Sequence, residues 1–222
     1  MKIVNLILTI ILVISVPVSI ICLANNLTTR MPDLYQYEFK STEILKDLSV
    51  EKNEDEMGQF FSEFMLGKTQ KFQIEYKFGD NTDNLFTHDE QNTMGKFKSM
   101  SNTILFTGLV ALLFSLVSYF LLYKQNLKML LRRTFSRAVI IFAASVGAIT
   151  LATFLSPLIK MQYALLFDYE LKTFLVLPKL LPKSFFIHSA LATVVLSIIA
   201  MMLLWYFTWK ITKPRRIFGA AR

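Results

Sequence analysis

The chain has 222 residues, 54% of them apolar and 14% aromatic, with a net charge of +8. That apolar share is too high for a water-soluble domain, and a single cysteine allows neither an internal disulfide nor a cysteine metal cluster. The positive charge does not point to nucleic acid, because it sits in two short segments without a groove-reading pattern around them.

Four runs carry no Asp, Glu, Lys or Arg: 3–24, 103–123, 138–159 and 185–209. Each is long enough to cross a hydrocarbon core of about 30 Å as a helix. Backbone groups cannot go unpaired in lipid, so each run is expected to be helical. Cys22-Leu23-Ala24 has the look of a signal-peptide cleavage site. The apolar stretch before it is longer than the roughly 7–15 residues of a signal core, so a retained span is expected. Ile21 before Cys22 is not the small residue that lipidation of that cysteine requires.

The charges set an orientation. Residues 124–137 carry five cations and no acid, and residues 210–222 carry five more and no acid. All Asp and Glu lie in 25–102 and 160–184. Lys and Arg next to span ends mark the cytoplasmic side, where they also meet anionic lipid head groups. The expected plan is a mainly α, four-transmembrane-helix membrane protein with a small extracellular α+β insertion between helices 1 and 2. In chain order it has helix 1 (1–24), an extracellular domain (25–102), helix 2 (103–123) and a cytoplasmic basic loop (124–137). Helix 3 (138–159), an extracellular interfacial loop (160–184), helix 4 (185–209) and a cytoplasmic basic tail (210–222) follow. Both termini are cytoplasmic in this plan, and the protein belongs in the cell membrane.

After the first span, Pro32 and the Tyr35–Phe39 aromatic cluster suggest a chain lying along the outer interface. Asn26-Leu27-Thr28 matches a glycosylation sequon too close to the membrane to weigh heavily. Residues 43–50 suggest a short helix. Asn53 caps a clearer one, whose first turn Glu54-Asp55-Glu56 suits the positive end of the dipole. Met57, Phe60, Phe61, Phe64 and Met65 give it one apolar stripe, and Gly67 ends it. Phe72–Phe78 alternates apolar and polar residues as a half-buried strand does. Its partner is expected from 31–40 or 85–87, with 79–84 a turn-rich loop.

Thr87 and Glu90 form a capping box, so a helix starting at His88 should run unbroken through Met100 into the second span. In the third span, Ala143, Ala144, Ser145 and Gly147 are small enough for close helix approach, and Pro157 closes it. Residues 160–184 are apolar but broken by Pro178 and Pro182, so they should lie in the interface or re-enter shallowly, a lid over a lipid-accessible cavity.

No nucleophile elbow, phosphate loop, dinucleotide fingerprint or zinc-protease motif occurs, and no cofactor or metal is expected. His188 is the one ionisable residue within a span, which disfavours a channel or proton-coupled transporter. His88, beside Asp89 and Glu90, is a candidate base.

Leu85, Phe86, Glu90, Met94 and Lys98 resemble the first motif of the DUF1461 integral membrane family, which includes the Lit-type lipoprotein intramolecular transacylases. Leu181-Pro182-Lys183-Ser184-Phe185-Phe186 resembles the end of its second region, and the order of spans and segments is similar over nearly the whole chain. Thr93 stands where the motif has a histidine and Lys96 where it has an aspartate. No histidine or tryptophan occurs in 138–184, where the second motif should lie.

The resemblance implies acyl transfer within a diacylglyceryl-cysteine, from the glycerol to the cysteine α-amine. Here that requires a relocated base, with His88 and Glu90 as catalytic residues. Met94, Phe97, Lys98, Phe185, Phe186 and His188 would contact the substrate. The competing expectation is a non-catalytic relative that binds lipid or lipoprotein, or assists another membrane protein; a small lipid carrier is a third. Membrane lipid and bacterial lipoproteins are the implied partners.

Overall fold

Four apolar helices dominate the computed structural model, which describes residues 2–47, 52–78, 81–154 and 176–213. They are α1 (Lys2–Thr28), α5 (His88–Lys124), α6 (Lys128–Phe154) and α8 (Lys183–Ile211), each long and apolar enough to cross a membrane. The chain is a multi-pass membrane protein. Its spans turn large side chains such as Phe106, Leu113, Phe120, Ile140 and Leu203 outward, which only a lipid surround accommodates.

α1 is the most enclosed span. It packs along α5 and also touches α6 and α8. Lipid tails are as apolar as leucine, so association rests on close packing and interhelical hydrogen bonds. α5 supplies both through a stripe of small residues, Ser101, Gly108, Ala111, Ser115 and Ser118, all buried. A Cβ on Gly108 would stand 3.0 Å from the Cys22 Cβ, and the Ser115 hydroxyl donates to Ser15 Oγ at 2.8 Å. Of the small residues expected to work this way in the third span, Ala143, Ala144 and Gly147 are exposed among the described residues and Ser145 is half-buried. The polar serines hid the stripe that packs.

At one end of the bundle the segment between α1 and α5 builds a cap. α2 (Pro32–Thr42) begins on Pro32, whose fixed φ suits a first helical position. α3 (Ile44–Asp47) is a single turn. α4 (Glu54–Leu66) is capped by Asn53 Oδ1, which accepts from the Glu56 N–H at 2.8 Å. It ends on Gly67 at φ 82°, where a side chain would be strained. The apolar stripe of α4 packs on α2, and Gly58 permits the approach, since a Cβ there would stand 3.1 Å from the Pro32 carbonyl oxygen.

Phe72 and Ile74 are buried and Gln73 exposed, as alternation requires, but the strand itself is shorter. β1 (Glu75–Phe78) pairs antiparallel with β2 (Asn81–Asn84). Of the two partners expected, 31–40 is instead α2, while 85–87 contributes one bond, from the Leu85 N–H to the Ile74 carbonyl at 2.8 Å. The paired strand itself, Asn81–Asn84, comes from the expected loop. One hairpin of four-residue strands is no sheet layer, so the α+β description of the insertion gives way to a helical cap with a hairpin attached. Tyr35, Phe39, Phe61, Phe72, Phe86 and Phe185 form its core, with Phe72 and Phe86 ring centroids 4.5 Å apart.

α5 runs 37 residues without a break from the cap through the bundle, as its capping box predicts. At the other end α5 and α6 are joined by the turn Gln125–Leu127, so the basic stretch expected as a loop over 124–137 is mostly the start of a helix. Proline-free and rich in Leu and Arg, it has high helix propensity. The expectations for Pro157 and most of 160–184 fall outside the described residues. Of that segment, α7 (Leu177–Leu180) is described, and Leu177, Leu180 and Leu181 are buried in the cap core.

Candidate functional site

The start of α5 is where chemistry was expected, and its side chains are committed to structure. Glu90 Oε2 accepts from the Thr87 N–H at 2.8 Å and hydroxyl at 3.0 Å. Its other oxygen accepts from the Leu177 N–H at 2.7 Å, so this buried carboxylate caps α5 and holds α7 against it. His88 is exposed in the first helical turn. Residues two apart on a helix do not face each other, so His88 and Glu90 form no pair. The Thr93 hydroxyl donates to its own helix, to the Asp89 carbonyl at 2.9 Å. Met94 is buried in the cap core. Lys98 Nζ lies 4.4 Å from the Phe64 ring centroid, where a cation meets the negative face of the ring, and donates to the Thr69 carbonyl at 3.4 Å.

A second polar group joins α2 to α8. Glu38 is 1% exposed, and its Oε2 lies 2.8 Å from His188 Nδ1. The Ser184 hydroxyl donates to Oε1. Ser184 and His188, four apart on α8, stack on one face. The Tyr37 ring stands edge-on to the imidazole, centroids 5.2 Å apart. Glu38 was not singled out from the sequence. Its one signal is an acid set between Tyr35 and Phe39, both buried, where a charge needs a buried partner.

Beneath the cap, α1, α5, α6 and α8 enclose a cavity of about 360 Å³. Phe97, Phe185 and Phe186, expected to bind substrate, line it together with Met100 and Ala190. His188 is not among its walls: Phe186, Ser189 and Ala190 turn one way from α8, and Ser184 and His188 turn toward α2. Its polar lining residues are Asn25, Thr29 and Ser101 from the α1–α5 side, with Thr153 of α6 and Ser189 and Thr193 of α8. On the α1–α5 side the Asn26 amide donates to the Ser101 carbonyl at 2.8 Å and hydroxyl at 3.0 Å, so the sequon asparagine is a buried interhelical tie. Among the described residues no three His, Cys, Asp or Glu side chains gather as a metal site.

The fold has solved counterparts. Three in meso structures of the membrane integral lipoprotein intramolecular transacylase Lit from Bacillus cereus superpose with a TM-score of 0.68 at 17% identity. One covers 98% of this chain and 100% of its own. A variant with a histidine replaced by arginine covers 96% and 94%, and one with that histidine replaced by alanine covers 97% and 96%. At this identity the likeness is one of fold, and the chain has a Lit-like membrane fold. No family model matches the chain, so the expected DUF1461 membership has no match behind it. No curated protein matches either.

Proposed function

We propose that this protein receives an acyl chain of a membrane lipid or lipid-modified cysteine in the cavity beneath its cap. The carrying observation is the cavity itself. Phe97, Met100, Ile104, Phe185 and Phe186 suit a hydrocarbon chain, and the polar residues among the walls, Asn25, Thr29 and Ser101 together with Ser189 and Thr193, suit the ester or amide that ends it. A lipid entering from the bilayer buries about the same apolar surface it leaves, so the polar residues and the shape of the walls supply the selectivity. By the charge rule the cap stands on the outer face, where lipid-modified cysteines of lipoproteins reside.

The binding reading is favoured over catalysis by the places of the chain's two histidines. His88 is exposed, with no orienting partner among the described residues, and His188 turns toward Glu38, away from the cavity. The role is therefore a lipid or lipoprotein binder, or an assistant to another membrane protein. Intramolecular acyl transfer is the second reading, supported by the Lit-like fold and by one detail. The buried Glu38 carboxylate holds His188 Nδ1 and so fixes the orientation of the ring, as the third group of a nucleophile–base arrangement does.

A photoactivatable acyl probe tests binding. Cross-links should map to Phe97 and to residues 185–193, and Ala190→Trp, which fills the cavity, should abolish them; labelling that ignores this substitution overturns the reading. Mass spectrometry of lipoprotein N-termini separates the two functions in a host without such an enzyme. N-acyl S-monoacylglyceryl peptides that vanish with His188→Ala select transfer, and unchanged diacylglyceryl peptides select binding.

A further inference from the structure

The end of the bundle opposite the cap carries a cleft of about 720 Å³ between the start of α6 and the end of α8. Its walls include Lys128, Arg132, Arg133, Arg137 and Lys213. On α6 the four-residue spacing stacks Lys128, Arg132 and Ser136 in one column and Met129, Arg133 and Arg137 in the next. Every Asp and Glu of the chain lies in 25–102 or 160–184, so no carboxylate of the described helices reaches this end. Five cations thus gather in one concave place with no compensating carboxylate among the described residues. Like charges at this spacing destabilise a helix, and cations in the first turns of α6 oppose its dipole.

Aromatic side chains place the cleft at the membrane surface. Arg132 Cζ lies 5.4 Å and Lys213 Nζ 5.6 Å from the Trp209 ring, and Lys128 Nζ lies 5.4 Å from the Tyr123 ring. Trp and Tyr settle at head-group depth. Stacking holds Arg132 and Lys213 at that level and leaves the cleft between the two helices open. The exposed Met129 and Ile211 beside it are suited to acyl chains below a head group.

The geometry points to a binding site for the phosphate of an anionic glycerophospholipid, held by Arg132, Arg133 and Arg137 with Lys128 and Lys213 around it. Guanidinium forks match a phosphodiester in two-bond pairs. A diffuse polybasic surface attracts anionic lipid without such forks, so the two are separable by experiment. The site lies across the bilayer from the cavity and stands independently of the acyl-binding reading.

Trp209 is a built-in reporter. With Trp205→Phe removing the other tryptophan, the full chain is reconstituted and quenching is followed with brominated phosphatidylglycerol against brominated phosphatidylcholine. The anionic lipid should quench at a mole fraction lower by about fivefold for each arginine engaged. R133Q/R137Q should lose most of that preference. R133K/R137K, which keeps the net charge and hence the topology, should lose a large part of it. Equal quenching by both lipids, or full preference in R133K/R137K, overturns the site. Reversal of quenching by an equal concentration of inorganic phosphate overturns the lipid as its source.

Discussion

Glu38 of α2 and His188 of α8 are 150 residues apart in the chain and 2.8 Å apart in space. With Ser184 on the same carboxylate, this pair fastens the cap to the fourth span. Glu38→Ala strands two polar groups at a largely buried site and should cost about 1–3 kcal/mol, read as a lower thermal unfolding midpoint in detergent. Glu38→Gln keeps the shape and one acceptor and should lose less. An unchanged midpoint in Glu38→Ala would mean that the bond does not hold the cap down.

Glu90 serves two elements at once, and two substitutions tell them apart. Thr87→Ala removes the cap hydroxyl and should cost about 1 kcal/mol. Glu90→Ala also strands the buried Leu177 N–H, adding about 1–3 kcal/mol. Amide exchange over 177–181 should quicken in Glu90→Ala and stay near wild type in Thr87→Ala. Equal exchange in the two variants would dissociate α7 from this carboxylate.

These two carboxylates mark what was legible in the sequence. Glu90 announced its cap because Thr87 lies three residues away and the motif is local. Its bond to Leu177 was invisible, as was Glu38–His188, because each partner lies 87 or 150 residues further on. The four spans were legible because lipid leaves the backbone no alternative to helix. The packing of the spans was not: the serines of α5 read as polar, while the alanines and glycine of α6 read as an interface that they do not make with the described residues. The strand partner was placed too far along, at Leu85, whose N–H does bond the Ile74 carbonyl; Asn81–Asn84 has turn composition and pairs through backbone, which composition does not report.

Tyr35 gives the cap an alkaline limit. Its phenol is fully buried and donates to the Thr29 carbonyl at 2.7 Å. Burial pushes its pKa up, against a smaller lowering pull from Arg30. The unfolded chain releases this proton near the ordinary value of about 10, whereas the folded cap keeps it. The stability tied to the neutral phenol is therefore complete below about pH 10 and is lost as pH rises toward the folded pKa. Tyr35→Phe should flatten the fall in stability between pH 9 and 11 while losing the Thr29 bond. An identical slope in both proteins would contradict the assignment.

Gly108 and Gly147 make a matched pair of glycines in spans. A side chain at 108 meets the Cys22 Cβ at 3.0 Å, whereas one at 147 meets no described atom within 4 Å. Gly108→Leu should force α1 from α5 and cost about 1–3 kcal/mol, seen as earlier unfolding when SDS is titrated into mild detergent. Gly147→Leu should be harmless or slightly stabilising through helix propensity. Similar losses at both positions would remove α5 as the packing stripe of the bundle.

The orientation of the chain follows from charge and is open to direct labelling. Acids occupy only 25–102 and 160–184, while the α5–α6 junction and the end of α8 are purely basic at their ionisable positions. Positive charge beside spans resists translocation, so the cap should face outward with both termini inside. In a Cys22→Ser background, a cysteine at exposed Gln59 on α4 should react with an impermeant maleimide on intact cells. One at exposed Met129 on α6 should react only after permeabilisation. The two positions are exposed in the structure, so failure of either cannot be laid to burial within the protein. The reverse pattern would put the cap on the cytoplasmic side, where the cavity would face cytoplasmic lipid, and lipid-modified cysteines on the outer face would be lost as its ligand.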